Sequence, residues 1–125
     1  MGEKIRFYRR KGNMKCHVLA EKIGVSESAM LDYENNKTEP GLELLQHISN
    51  VLNIPVTKLC DDYYMFLRYP YCKKLKELRA EHGLTQGELG KMLGIVAKSV
   101  ARWEQGRAVV TREQWKKLHR LFPTV

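Results

Sequence analysis

The sequence predicts an all-α fold in which two similar units of four to five helices follow one another. Three observations predict it. The first is the stretch from Gln86 to Trp103, in which Leu89, Leu93, Ile95, Val100 and Trp103 hold the apolar positions. Two short helices crossing steeply need a residue without a side chain where their backbones approach, here Gly90. They also need a residue tolerant of positive φ at the turn, here Gly94. The second observation is repetition. Adding 70 to the residue number, without a gap, carries Leu19 to Leu89, Ala20 to Gly90, Ile23 to Leu93, Gly24 to Gly94, Met30 to Val100 and Tyr33 to Trp103. The third is length: 125 residues with a 70-residue period leave room for two units of about 50–60 residues, small but able to fold around well-packed cores.

The first unit opens with a helix over residues 4–11, with Ile5 and Tyr8 inward, stopped near Gly12-Asn13. A second helix covers residues 16–23, starting behind Lys15, a poor cap. Gly24-Val25 turns the chain, and Ser26 caps a third helix that runs to Glu34. A fourth, over residues 42–52, carries Leu42, Leu45, Ile48 and Leu52 on one face. Pro55 is placed to begin a fifth, expected over residues 56–67. Its Tyr63, Tyr64, Phe66 and Leu67 exceed what one stripe can bury, so burial is expected on two sides, chiefly against the second unit and otherwise against another copy.

Tyr69-Pro70 is the joint, which sets the domains at residues 1–68 and 69–125. The second unit repeats the plan. A helix over residues 71–81 stops at His82-Gly83, and Thr85 with Glu88 forms a capping box for the next. Gln105-Gly106-Arg107 closes the helix after that. Thr111 and Gln114 form a second box for a last helix carrying Trp115, Leu118, Leu121 and Phe122.

Charge is divided unevenly. Residues 1–62 hold nine Lys/Arg and nine Asp/Glu, whereas residues 63–125 hold thirteen against five and supply the whole net charge of +8. The excess lies in the unit whose turn-following helix also carries Lys98 and Arg102, which points to a polyanionic partner. Cys16, Cys60 and Cys72 show no metal or redox spacing, and the four histidines are scattered, so no metal and no cofactor are expected. The sequence has no run long and apolar enough to span a bilayer and no Ser/His/Asp set, paired carboxylates or phosphate-cradling glycine loop. A cytoplasmic protein that is not an enzyme and takes no small-molecule ligand is the expectation.

Over residues 4–62 and 73–122 both units resemble the DNA-binding domain of the Cro/C1-type (XRE, phage-repressor-like) helix-turn-helix family. The resemblance rests on the glycine-turned helix pair and on Arg9 with Glu34 and Arg79 with Glu104, two of the few identities between the repeats. It implies two tandem repressor-like helix-turn-helix domains. Arg9–Glu34 and Arg79–Glu104 are implied to be structural ion pairs, and the third helix of each unit is implied to lie in the major groove of double-stranded DNA. Carried over residue by residue, the base-facing positions of the second unit are Ala97, Lys98 and Arg102, with Ser99 beside them. Gln86 and Arg107 stand at phosphate-contacting positions.

Lys98 and Arg102 can donate to guanine O6 and N7, and Ala97 can meet a thymine methyl. In the first unit the same positions are Glu27, Ser28 and Asp32, with Cys16 in place of the glutamine, so only weaker contacts, at Ser28 and Lys37, are expected there. The leading expectation is a sequence-specific transcriptional repressor, prokaryotic or from a phage, that binds mainly through its second unit. The alternative is an interaction module, such as an antitoxin or adaptor, with a homodimer or protein partner at the first unit or the aromatic helix.

Overall fold

Helices here are short because turn-forming residues stop them every seven to twelve residues. The structure, a computed structural model, describes residues 1–123. In order, it contains α1 (Gly2–Lys11), α2 (Cys16–Ile23), α3 (Glu27–Glu34), α4 (Leu42–Leu52), α5 (Asp62–Arg68), α6 (Tyr71–His82), α7 (Gln86–Leu93), α8 (Ala97–Glu104) and α9 (Arg112–Leu121). No strand occurs among the described residues, so the fold is all-α. The chain divides into unit 1, Met1–Met65, and unit 2, which begins at Phe66.

Each unit has its own core, and the cores correspond. Ile5, Leu19, Met30 and Ile48 are fully buried in unit 1, as are Leu75, Leu89, Val100 and Leu118 at the same places in unit 2. The helix pairs α2–α3 and α7–α8 turn through Gly24 (φ 78°) and Gly94 (φ 74°), a region closed to most side chains. After each glycine the next amide reaches back to the helix, from Val25 N to Ala20 O and from Ile95 N to Gly90 O, at 3.0 and 2.8 Å. Gly90 lies against that turn: a Cβ there would stand 2.7 Å from the Ile95 carbonyl oxygen.

A buried ion pair ties the first helix of each unit to the end of the third. Arg9 Nε and Nη2 each donate to Glu34 at 2.8 Å, and Nη1 donates to the Met14 carbonyl at 2.9 Å. Arg79 repeats this with Glu104 at 2.7 and 2.8 Å and the Leu84 carbonyl at 3.1 Å. Both carboxylates are 1% exposed. Burial alone would raise their proton affinity, but the bidentate guanidinium outweighs it and holds both below the usual carboxylate range. Arg6 adds a third cation contact to Glu34, at 3.3 Å.

Several expectations need correction. The first helix starts at Gly2, two residues early, because Asn36 (φ 59°) accepts from Gly2 N at 2.9 Å and donates to Glu3, a tertiary cap. Gly2 fits only as glycine, since a Cβ would overlap the Glu34 carbonyl. In unit 2 Cys72 takes the place of Gly2, and Gly106 (φ 71°) takes the place of Asn36, with the Cys72 Sγ 3.6 Å from where its Cβ would sit. The fifth helix is not continuous. A 3₁₀ turn at Val56–Lys58 precedes α5, and the Asp61 carboxylate accepts from Tyr64 N at 3.0 Å, starting a new helix where one long one was expected.

The aromatics of α5 serve different units. Tyr64 donates its hydroxyl to the Pro40 carbonyl in unit 1, and Phe66 pairs with Tyr71 in unit 2 at 5.5 Å. In the second expected capping box, Thr111 with Gln114, only one arm forms, Gln114 N donating to Thr111 Oγ1 at 3.3 Å. Leu121 is 43% exposed, so the inward face of α9 is Trp115 and Leu118, continued by Phe122.

Two predictions follow from this packing. An unfolded chain protonates its carboxyls in the ordinary range, the native pair only at lower pH, so the unfolded state binds more protons in between. Stability is full above the ordinary carboxylate range and drains as pH falls through it towards the depressed native values. Trp103 and Trp115 both lie in unit 2, so urea titrations followed by tryptophan fluorescence report on that unit. Glu104→Gln should cost unit 2 about 3 kcal/mol at neutral pH by stranding Arg79, and should flatten its acid limb. In the same assay Gly90→Val should cost about 1–3 kcal/mol by forcing α7 and α8 apart. Gly87→Ala, whose Cβ would meet nothing nearer than 3.9 Å, should cost nothing.

Candidate nucleic-acid interface

Unit 2 fixes the start of α7 twice. Thr85 Oγ1 accepts from Glu88 N and Glu88 Oε1 accepts from Thr85 N, both at 3.1 Å, a complete capping box. Gln86 is therefore held at the first helical position, half-buried. Its Nε2 donates to Glu104 Oε1 at 3.3 Å, which joins it to the Arg79 pair. That bond uses one of the amide's two N–H groups. The next residue, Gly87, lies beside α8: a Cβ on it would sit 4.0 Å from the Ala97 methyl, so the starts of α7 and α8 meet on one surface.

From that surface α8 presents a row of exposed side chains. Val100 and Trp103 face inward, which leaves Ala97, Lys98 and Arg102 outside. Lys98 and Arg102 are four residues apart and share a face. Past Gly106 the loop folds back, and Arg107 N donates to the Arg102 carbonyl at 2.9 Å, which sets the two arginines side by side. Ser99 stands apart from this row and is half-buried. Val96 precedes Ala97 as the N-cap of α8 and is 67% exposed, with no side-chain cap bond. Sequence reading passed it over. The signal was present: a valine stands where Ser26 caps α3 in unit 1.

Unit 1 builds the same surface with different chemistry. Glu27, Ser28 and Lys37 are exposed and Asp32 half-buried, and Lys37 N donates to the Asp32 carbonyl at 2.9 Å, as Arg107 does to Arg102. Cys16 takes the place of Gln86, and burial and the Glu34 carboxylate push its thiol up. At equivalent positions unit 2 thus carries three cations and no carboxylate, and unit 1 two carboxylates and one cation. Among the described residues no cluster of His, Cys, Asp and Glu could hold a metal ion, and no helix is long and apolar enough to cross a membrane.

Known proteins match this chain in sequence. The helix-turn-helix family profile matches residues 5–59 and 75–124, one segment in each unit. The transcriptional regulator SinR of Bacillus subtilis is 35% identical over 63 residues, half of this chain and 57% of SinR. A protein of Pyrococcus horikoshii named as a helix-turn-helix-type transcriptional regulatory protein is 48% identical over 50 residues, 40% of this chain and 16% of that relative. One from Pyrococcus abyssi is 42% identical over the same length. This chain thus spans just over half of SinR and about a sixth of the archaeal proteins. No solved structure gives a significant match. With both segments matched over most of its length, the chain belongs to the Cro/C1-type helix-turn-helix family.

Proposed function

We propose that the protein is a sequence-specific double-stranded DNA-binding transcriptional regulator, a repressor, that reads the major groove mainly through unit 2. The observation that carries this reading is the exposed row on α8, continued by Arg107 and bounded by Gln86 at the start of α7. Lys98 and Arg102 offer donors to guanine O6 and N7, and Val96 and Ala97 offer an apolar edge to thymine methyls. Arg107 and the remaining amide donor of Gln86 bind phosphates, which fixes register and makes affinity salt-dependent. The related proteins named as transcriptional regulators support the same reading. A chromosomal target makes the protein a cytoplasmic, nucleoid-associated one.

Unit 1 contributes little to DNA affinity. Glu27 and Asp32 would face a groove walled by phosphates, which leaves Ser28 and Lys37 for weak contacts. It acts instead as a packing or partner domain.

Selection from random duplex DNA, followed by titration on a duplex carrying one selected site at two salt concentrations, tests this. Arg102→Ala should cost about 1–3 kcal/mol and relax preference at one base pair. Arg107→Ala should weaken all sequences alike and lower the salt slope by about one. Asp32→Ala should leave affinity unchanged or raise it. Loss of binding in Asp32→Ala with little effect of Arg102→Ala would assign DNA reading to unit 1.

A further inference from the structure

The cations of unit 2 are not all on its α8 face. Lys91 at the end of α7, with Lys117 and Arg120 on α9, rims a groove of about 400 Å³ whose apolar wall includes Met92 and Leu121, 47% and 43% exposed. Lys117 is anchored there, with Nζ donating to the Leu93 carbonyl at 3.3 Å. Gln86 stands at the other end of α7, about 7–8 Å from Lys91 along the helix axis, so these cations lie towards the opposite end of the helix from the phosphate-contacting position. The repeat offers an internal comparison. Where unit 2 has Lys91, Lys117 and Arg120, unit 1 has Glu21, His47 and Asn50. The positive groove is therefore a specialisation of unit 2 rather than a requirement of the fold.

Unit 1 carries the complement. On α3, Glu27 and Leu31 lie four residues apart beside Ser28 and Asp32, a face with two carboxylates around a leucine that is 42% exposed. Such a face suits a cationic groove with an apolar floor and opposes a wall of phosphates.

We infer that copies of this chain associate head to tail, the α3 face of one copy's unit 1 entering the α7–α9 groove of another copy's unit 2. Leu31 fills the space beside Met92 and Leu121, and Glu27 and Asp32 meet Lys91, Lys117 and Arg120. A second copy is the occupant because this one chain carries both complementary faces. The contact is heterologous, so each pair keeps a free face and a free groove and further copies add in the same sense. One helix in one groove makes a small, salt-sensitive interface.

Sedimentation velocity of the full chain without DNA tests it. The wild type should show a sedimentation coefficient that rises with concentration at low salt and a monomer at high salt. Lys91→Glu with Arg120→Glu, and separately Glu27→Lys with Asp32→Lys, should each weaken association by about tenfold or more, with helix content kept by circular dichroism. Mixing the two double variants recreates both charge pairings and should restore association. A wild type that is monomeric at every concentration, or a mixture that stays monomeric, would overturn the inference. A monomeric wild type that binds a synthetic acidic amphipathic peptide at the groove would overturn it in favour of a foreign helix.

Discussion

Everything in each unit hangs on a guanidinium that reaches from the first helix to the end of the third. The Arg9–Glu34 and Arg79–Glu104 pairs are bidentate and use the third guanidinium nitrogen on a backbone carbonyl before the second helix. One side chain thereby fixes three segments. A carboxylate 1% exposed is tolerable only with its hydrogen-bonding capacity met, so the partner helix has little freedom to shift. The exposed face of α8 is held by the same constraint, and Gln86 is drawn into it through Glu104. The exposed surface of α8 is thus supported from beneath by bonds that involve none of its outward-facing cations.

The duplication separates what such a scaffold needs from what its surface does. Core positions, the positive-φ turn and the ion pair persist across the 70-residue offset. The outward positions of α3 and α8 have gone to opposite charge, and so have the ends of α2 and α7, where Glu21 corresponds to Lys91. Two units with one backbone plan therefore expose surfaces that attract opposite partners.

Much of this was legible in the chain because it is written locally. Turn glycines, Ser26 and the Thr85–Glu88 box mark helix ends within a few residues, and the spacing of Val100 and Trp103 indicates which face of α8 is left outside. What escaped reading most completely depended on a distant partner: no local signal announces that Asn36 will cap α1 from 34 residues away. The start of α5 is different, because Asp61 caps Tyr64 three residues on, a local signal masked by the apolar run around it. Leu121 shows the same limit: its spacing fits the inward stripe, yet the chain leaves the helix at Phe122, which takes the inner position instead.

The exchange of small residues between the units has an evolutionary consequence. In unit 1 the glycine is on α1, pressed against the Glu34 carbonyl; in unit 2 it is Gly106, facing Cys72. Exchange between the two halves of the gene at this point would therefore carry a penalty in either direction. A hybrid that brings Cys72 with its helix onto the unit 1 partner sets a side chain into backbone, whereas the reciprocal hybrid sets glycine opposite glycine and removes the Asn36 cap of the first helix.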